Sequence, residues 1–166
     1  MEDVFIREAT IADADAIARV HVDSWRESYA GIFPDDLLRN LSWEERAGYW
    51  KKELLEEKGP GRIFVAEEGG IVKGFVSAGK SRKPEFPFDG EIYSLYLLKE
   101  AQGCGIGRKL FEKAQNSLKL EGMNSMLLLV LKDNNPAIEF YRHMGGKEFS
   151  RIMTDFEEIV MAWERN

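Results

Sequence analysis

The chain has 166 residues, 44% of them hydrophobic and 31% charged, the make-up of an ordinary globular protein long enough for one sizeable core. Its 23 basic residues against 29 acidic ones leave a net charge of -6, which argues against a nucleic-acid partner and permits a cationic substrate such as an amine. One cysteine, Cys104, excludes an internal disulfide, and with two histidines beside it no familiar zinc cluster can be assembled, so no metal is expected.

The acidic start Met1-Glu2-Asp3 leads into a strand-like run at residues 4–8 rather than a signal peptide. No apolar run approaches the length of a membrane span. A soluble cytoplasmic protein without a membrane partner is therefore expected. Thr10 precedes Asp13, and Ala14, Ile17, Ala18, His21, Val22 and Trp25 then recur at helical spacing. Gly31 and Pro34 punctuate the chain before a second helical stretch at residues 35–41. Ser42 reads as the N-cap of a third helix, with Glu45 completing a capping box; that helix should run toward Glu57 and stop at Gly59-Pro60-Gly61.

Residues 62–67 and 71–78, joined by Glu68-Gly69-Gly70, read as a β-hairpin. Residues 80–90 hold two prolines and a glycine and read as a loop, followed by a buried strand at 92–98. On the next helix Ile106, Leu110, Ala114 and Leu118 share one face, with Phe111 beside it and Arg108, Lys109, Glu112, Lys113 and Lys119 toward water. Gly122 ends it. The continuous apolar run at 126–131 suggests a strand buried on both faces, parallel to the one before the helix. Pro136 suits the first turn of a short helix at 137–144, ended by Gly145-Gly146, and strands at 147–153 and 157–163 close the chain.

The most informative stretch is Gln102-Gly103-Cys104-Gly105-Ile106-Gly107-Arg108. It lies between a strand and a helix start, where leading amides have no partner within the helix and the dipole is positive. Glycines there let the backbone approach phosphate oxygens, so a phosphorylated small molecule is expected. A dinucleotide-binding Gly-x-Gly-x-x-Gly fails because Arg108 stands where the third glycine belongs. A nucleoside-triphosphate P-loop fails because Gly107-Arg108-Lys109-Leu110 lacks the hydroxyl that would hold magnesium.

The turn instead resembles the pyrophosphate loop of the GNAT superfamily of N-acyltransferases, Gln/Arg-x-x-Gly-x-Gly/Ala, through Gln102, Gly105 and Gly107. The family's apolar-aromatic-apolar strand ending is matched by Leu95-Tyr96-Leu97, and its later motif by Asn134, Ala137, Phe140, Tyr141 and Gly145. These matches run from Glu91 to Gly146, about a third of the chain. Trp25-Arg26-Glu27-Ser28-Tyr29-Ala30-Gly31 also resembles the opening of many small-molecule members. One departure is Lys147, where many relatives carry an aromatic after the glycine, which implies a packing difference.

The resemblance implies one α/β domain over residues 1–166, with a mixed, mostly antiparallel central sheet, a splayed parallel strand pair and helices on both faces. Residues 1–61 would form the acceptor side, 62–146 the acetyl-CoA-binding core, and 147–166 the closing strands. Acetyl-CoA would be the cosubstrate. Its pantetheine arm would lie against the backbone of Leu95, Tyr96 and Leu97 and against Asn134, and its pyrophosphate against the amides of Gly103, Cys104, Gly105, Ile106, Gly107 and Arg108. Tyr141 matches the family tyrosine beside the cofactor sulfur and would protonate the leaving thiolate; Glu91 would be the base, directly or through water. Trp25 and Tyr29 would wall the acceptor pocket. The implied activity is acetyl transfer from acetyl-CoA to a primary amine of a small molecule by direct attack in a ternary complex. A protein or peptide N-acetyltransferase and a non-catalytic acyl-CoA-binding regulatory module remain open beside it, as does a homodimer.

Overall fold

A computed structural model describes residues 3–56 and 61–164. Its centre is a seven-stranded sheet of β1 (Val4–Glu8), β2 (Gly61–Glu68), β3 (Ile71–Lys80), β4 (Gly90–Leu97), β5 (Met126–Leu131), β6 (Lys147–Met153) and β7 (Glu157–Trp163), ordered β1-β2-β3-β4-β5-β7-β6. Every pairing is antiparallel except β4 with β5, which run parallel. The expected mixed sheet with one central parallel pair is therefore present. β5, β6 and β7 have the expected bounds, because each is a run of apolar or alternating residues closed by turn chemistry.

The helices are α1 (Ala14–Ser28), α2 (Asp35–Arg39), α3 (Trp43–Leu55), α4 (Ile106–Leu120) and α5 (Asn135–His143). A short 3-10 turn at Ile11–Asp13 precedes α1, and another at Lys99–Ala101 lies between β4 and the glycine loop; neither has a periodicity long enough to read. Only half of the expected capping box forms at α3. The Ser42 hydroxyl accepts from the Glu45 amide at 3.3 Å, but it donates to Glu44 rather than leaving Glu45 to reach back. α3 ends at Leu55, short of Glu57; Glu57, Gly59 and Pro60 lie outside the described residues.

Strand alternation sorts the sheet into two unlike faces. Phe64, Ala66, Val76, Ala78 and Ile92 meet Ile106, Leu110, Ala114 and Leu118 of α4 and Ile138 and Tyr141 of α5. Val65 and Phe75 point the other way, against Ile17, Ala18, Ala47 and Trp50 of α1 and α3. Arg7 and Asp13 pin the chain's start to this face with paired bonds of 2.8 and 2.9 Å. β4 has a parity conflict: Ile92 and Leu95 are three apart, yet both belong under α4. A β-bulge resolves it. Ala78 pairs with Ile92 and Ser77 with Ser94, which leaves Tyr93 as the extra residue and turns its ring out of the ladder.

Gly146 packs against the Trp163 indole, whose N–H donates to the Met144 carbonyl at 3.0 Å. Lys147 is exposed. The aromatic surface at this turn therefore comes from β7, which accounts for the departure at Lys147. Among the described residues no helix is long and apolar enough to cross a membrane.

Candidate active site

β4 and β5 are in register only at Gly90 with Met126 and Glu91 with Leu127. Beyond that point the strands part, so Leu95, Tyr96 and Leu97 have β3 as strand partner on one side and no strand on the other. A free strand edge inside a sheet exposes amides and carbonyls that an extended amide-bearing ligand can meet.

The glycine loop stands at the open end of this wedge. Gly103 and Gly105 have φ of +82° and +84°, a conformation that disfavours L side chains, and a Cβ on either would meet no protein atom within 4 Å. Gly107 is small for a different reason: its Cβ would come 3.1 Å from Leu97 and 3.5 Å from Phe140, so it lets α4 close onto β4 and α5. The leading amides of Ile106, Gly107 and Arg108 face out of the helix start. Gln102 ties the loop back to the strand, donating to the Leu97 carbonyl at 3.5 Å. Cys104 is exposed and donates its thiol to the Ala101 carbonyl, while Arg108 pairs with Glu112 at 2.9 Å on the helix surface. Asn134 caps α5, its side chain accepting from the Ala137 amide at 3.4 Å.

Tyr141, on α5, is buried among Phe111, Phe140 and Trp163. Burial pushes its phenol up, and so does the nearby Tyr96 phenol. Tyr29 is pushed up by burial and by Tyr96, with Tyr141 and Glu158 adding to it. The phenols of Tyr29, just past α1, Tyr96 on β4 and Tyr141 on α5 thus act on one another near the stretch where β4 has left β5. Trp25 stacks edge-on against Tyr29 at 5.2 Å, and its indole N–H is felt by the Tyr96 phenol without reaching hydrogen-bond geometry.

Glu91 sits elsewhere, at the closed end of the wedge. It is buried, and Oε1 accepts from the Arg82 amide at 2.9 Å. Burial pushes its carboxyl up, against the pull of that amide, Lys83 and Arg82. It acts on Tyr93, whose phenol is pushed up to about 12, chiefly by burial. Trp25, Tyr29 and Tyr96 pack together and the Tyr96 phenol acts on Tyr141, whereas the hydrogen-bond partner of Glu91 is the Arg82 amide.

On the α1 and α3 face a cleft of about 200 Å³ opens beside Ser94 and Tyr96. Trp25 lines it; so do His21, Arg46 and Glu53 from the helices, Arg82 from the loop after β3 and Tyr93 on β4. His21 is buried, stacked on Tyr96 at 5.1 Å, and accepts from the Trp50 N–H at 3.3 Å. Burial and then Arg46 push its pKa down to about 4, so it is neutral at pH 7. Helical spacing marks His21 as one residue of an apolar stripe and singles out none of Arg46, Glu53, Arg82 and Tyr93. For α3 a signal was available: Arg46, Trp50 and Glu53 follow the spacing of one helix face. Arg82 and Tyr93 carry none, since a bulge and a loop bring them in. Among the described residues no group of three or more histidine, cysteine, aspartate or glutamate side chains is placed to hold a metal.

The description "Acetyltransferase (GNAT) family" fits residues 21–145, most of the chain and all of the wedge. The chain belongs to the GNAT family of N-acetyltransferases. It is 44% identical over 166 aligned residues to the uncharacterized N-acetyltransferase YuaI of Bacillus subtilis, covering 96% of this chain and 92% of that one. It is 27% identical to the spermidine N(1)-acetyltransferase of Thermoplasma acidophilum, covering 91% of this chain and 92% of the relative. The fold superposes on the crystal structure of the PaiA N-acetyltransferase of Thermoplasma acidophilum in complex with coenzyme A, with a TM-score of 0.83, 23% identity and coverage of 96% and 98%. The GNAT chain is thus an acyltransferase, and its fold is one seen with coenzyme A.

Proposed function

We propose that this GNAT chain transfers the acetyl group of acetyl-CoA to a primary amine of a small molecule by direct attack in a ternary complex. One observation carries the reading: β4 leaves β5 after Glu91, and Tyr141 is buried beside the opening with Tyr96. Acetyl-CoA supplies an activated thioester. The unpaired edge of Leu95, Tyr96 and Leu97 orients its amide arm, and the amides from Gly103 to Arg108 hold its pyrophosphate. A backbone amide of the same splayed edge holds the oxyanion.

Tyr141 gives its proton to the departing sulfur. Burial keeps the phenol protonated at neutral pH, as a donor needs, and the leaving thiolate is basic enough to take the proton. Glu91 receives the amine's proton through water, by way of the Tyr93 side of the cleft; its raised proton affinity suits a base that works near neutrality. Trp25 walls the acceptor, and Tyr29, which does not line the cleft, packs edge-on against Trp25. The small cleft supports a small acceptor over a protein segment, and the spermidine-acetylating relative supports an amine.

Thiol release from acetyl-CoA across an amine panel tests the reaction, with mass detection of the acetylated amine. Direct transfer predicts intersecting lines when both substrates are varied, and parallel lines would instead mean an acyl-enzyme. Tyr141→Phe should lower kcat by about ten- to a thousandfold and leave acetyl-CoA affinity nearly unchanged. A normal kcat in that variant removes Tyr141 from the mechanism.

A further inference from the structure

The acidity of the whole chain is not shared by its cleft. Net charge is -6, yet the cleft is lined by Arg46, Arg62 and Arg82 against a single carboxylate, Glu53. Three separate segments deliver these arginines: α3, the start of β2 and the loop after β3. Arg62 is already engaged, reaching Glu8 and Glu121 at 3.4 Å each. Arg46 and Arg82 form no ion pair among the described residues.

Both guanidiniums lie by rings, and the charge of Arg82 is also felt by Glu91. Arg82 lies 3.6 Å over the centre of Tyr93, and Arg46 lies 5.9 Å from the centre of Trp25. Stacking on a ring face fixes a guanidinium plane and leaves its N–H edges for an in-plane anion. Arg46 also acts on His21 and on Tyr96, which places its charge at the inner end of the cleft, near the wedge. Two guanidiniums without an ion-pair partner in one small aromatic cleft form a receptor for a carboxylate or phosphate. A polycation would meet like charge there, which disfavours it.

We infer that the acceptor is an amine that also carries an anionic group, a carboxylate or a phosphate, which Arg46 and Arg82 bind while the amine points at the wedge. This rests on the acetyltransferase reading above and narrows its substrate class. It parts this chain from its spermidine-acetylating relative, despite their similarity in sequence.

The test compares matched amines at fixed acetyl-CoA: β-alanine, 4-aminobutyrate and 6-aminohexanoate carry a carboxylate, O-phosphoethanolamine a phosphate, ethanolamine no charge beyond the amine, and spermidine further cations. The kcat/KM of the best anionic amine should exceed that of ethanolamine by about tenfold or more, with spermidine lowest. The ranking of carboxylates against O-phosphoethanolamine separates the two anions. Arg82→Met, at an exposed position, and Arg46→Met should each cut the preference for the anionic amine over ethanolamine by about ten- to a hundredfold. Arg46→Lys, which keeps the charge and loses the fork, should fall between.

Spermidine turned over best, or equal use of β-alanine and ethanolamine, overturns the proposal. A thermal-shift titration of the coenzyme A-saturated protein with the same amines keeps the two readings apart. Binding of an anionic amine without turnover of any amine retains the subsite and removes the transferase reading. Absence of any shift with all four anionic amines removes the subsite.

Discussion

The two faces of the sheet are made of different material. Under α4 and α5 the core is mostly aliphatic, with Val76, Ile92, Leu110, Ala114 and Leu128 closing it. Under α1 and α3 it is ringed by His21, Trp25, Trp50, Phe75 and Tyr96, and all of these but Phe75 border a cleft. The first face supports a site made of backbone: a strand edge, a loop and a helix start. The second supports a site made of side chains. The coenzyme side should therefore fail when the backbone is forced, and the acceptor side when charge or ring chemistry changes.

The largest effect should come from Gly105→Val. A β-branched residue at φ +84° is strained even though the space beside it is open, so the loop must rearrange and its amides leave their positions. Coenzyme A affinity should fall by about a thousandfold, roughly 4 kcal/mol by calorimetry. Gly122, just past the C-terminus of α4, has φ +87°. Gly122→Val should carry similar strain and leave coenzyme affinity in place. Equal losses in both variants would mean that fold stability, not loop backbone, sets the affinity.

On the opposite face, His21 should make stability depend on pH. Its folded pKa, about 4, lies below the ordinary value of 6.5, so the neutral form is favoured by folding. The stabilisation is complete above about pH 6.5 and is lost as pH falls toward 4, with a span of about 3 kcal/mol. Protonation would also remove the acceptor that the Trp50 N–H uses. The difference in unfolding free energy between wild type and His21→Gln should follow that window. A difference independent of pH would show that folding does not perturb the His21 imidazole, and one that grows as pH falls would show that His21 is charged in the fold.

A smaller change tests the link between the two sides. Glu91 lies on β4 below the wedge and acts on Tyr93, which lines the cleft. Its raised pKa means that kcat/KM should drop as pH falls through a point above the usual carboxylate range. Glu91→Gln should lower kcat/KM by about ten- to a hundredfold at neutral pH and abolish that acid limb. A retained limb assigns the titration to another group, with Glu158 next, since burial raises it as well.

The contrast between the faces also sets what the sequence made legible. The glycine loop, the wedge strands and Tyr141 sit close together along the chain, in a local strand–turn–helix order, and local order is written in spacing. The strand run at residues 126–131 and the α4 stripe were readable for the same reason. The cleft was not. Arg46, Arg82 and Tyr93 each read as a solvated or strand residue alone, and only the bulge at Tyr93 and the docking of α3 make them neighbours. The expected role of Glu91 came from its place on β4, but spacing carries no information on how far it stands from Tyr141.

The last test concerns a contact that the family pattern hides. A Cβ at Gly146 would lie 2.6 Å from Trp163 Cζ2 and 2.8 Å from Cη2. The ring cannot simply swing away, because its N–H is bonded to the Met144 carbonyl and its face packs on Phe111 at 5.2 Å. Gly146→Ala should therefore cost about 1–2 kcal/mol, toward the lower end for overpacking, since β7 ends at Trp163 and can shift slightly. Kinetics in the same variant discriminate further. Tyr141 lies 6.2 Å from that ring, so a displaced indole would move the phenol and lower kcat, whereas a shift confined to the β7 end would lower Tm alone. Adding Trp163→Leu should then cancel most of the cost of Gly146→Ala, as expected for two residues coupled by one contact.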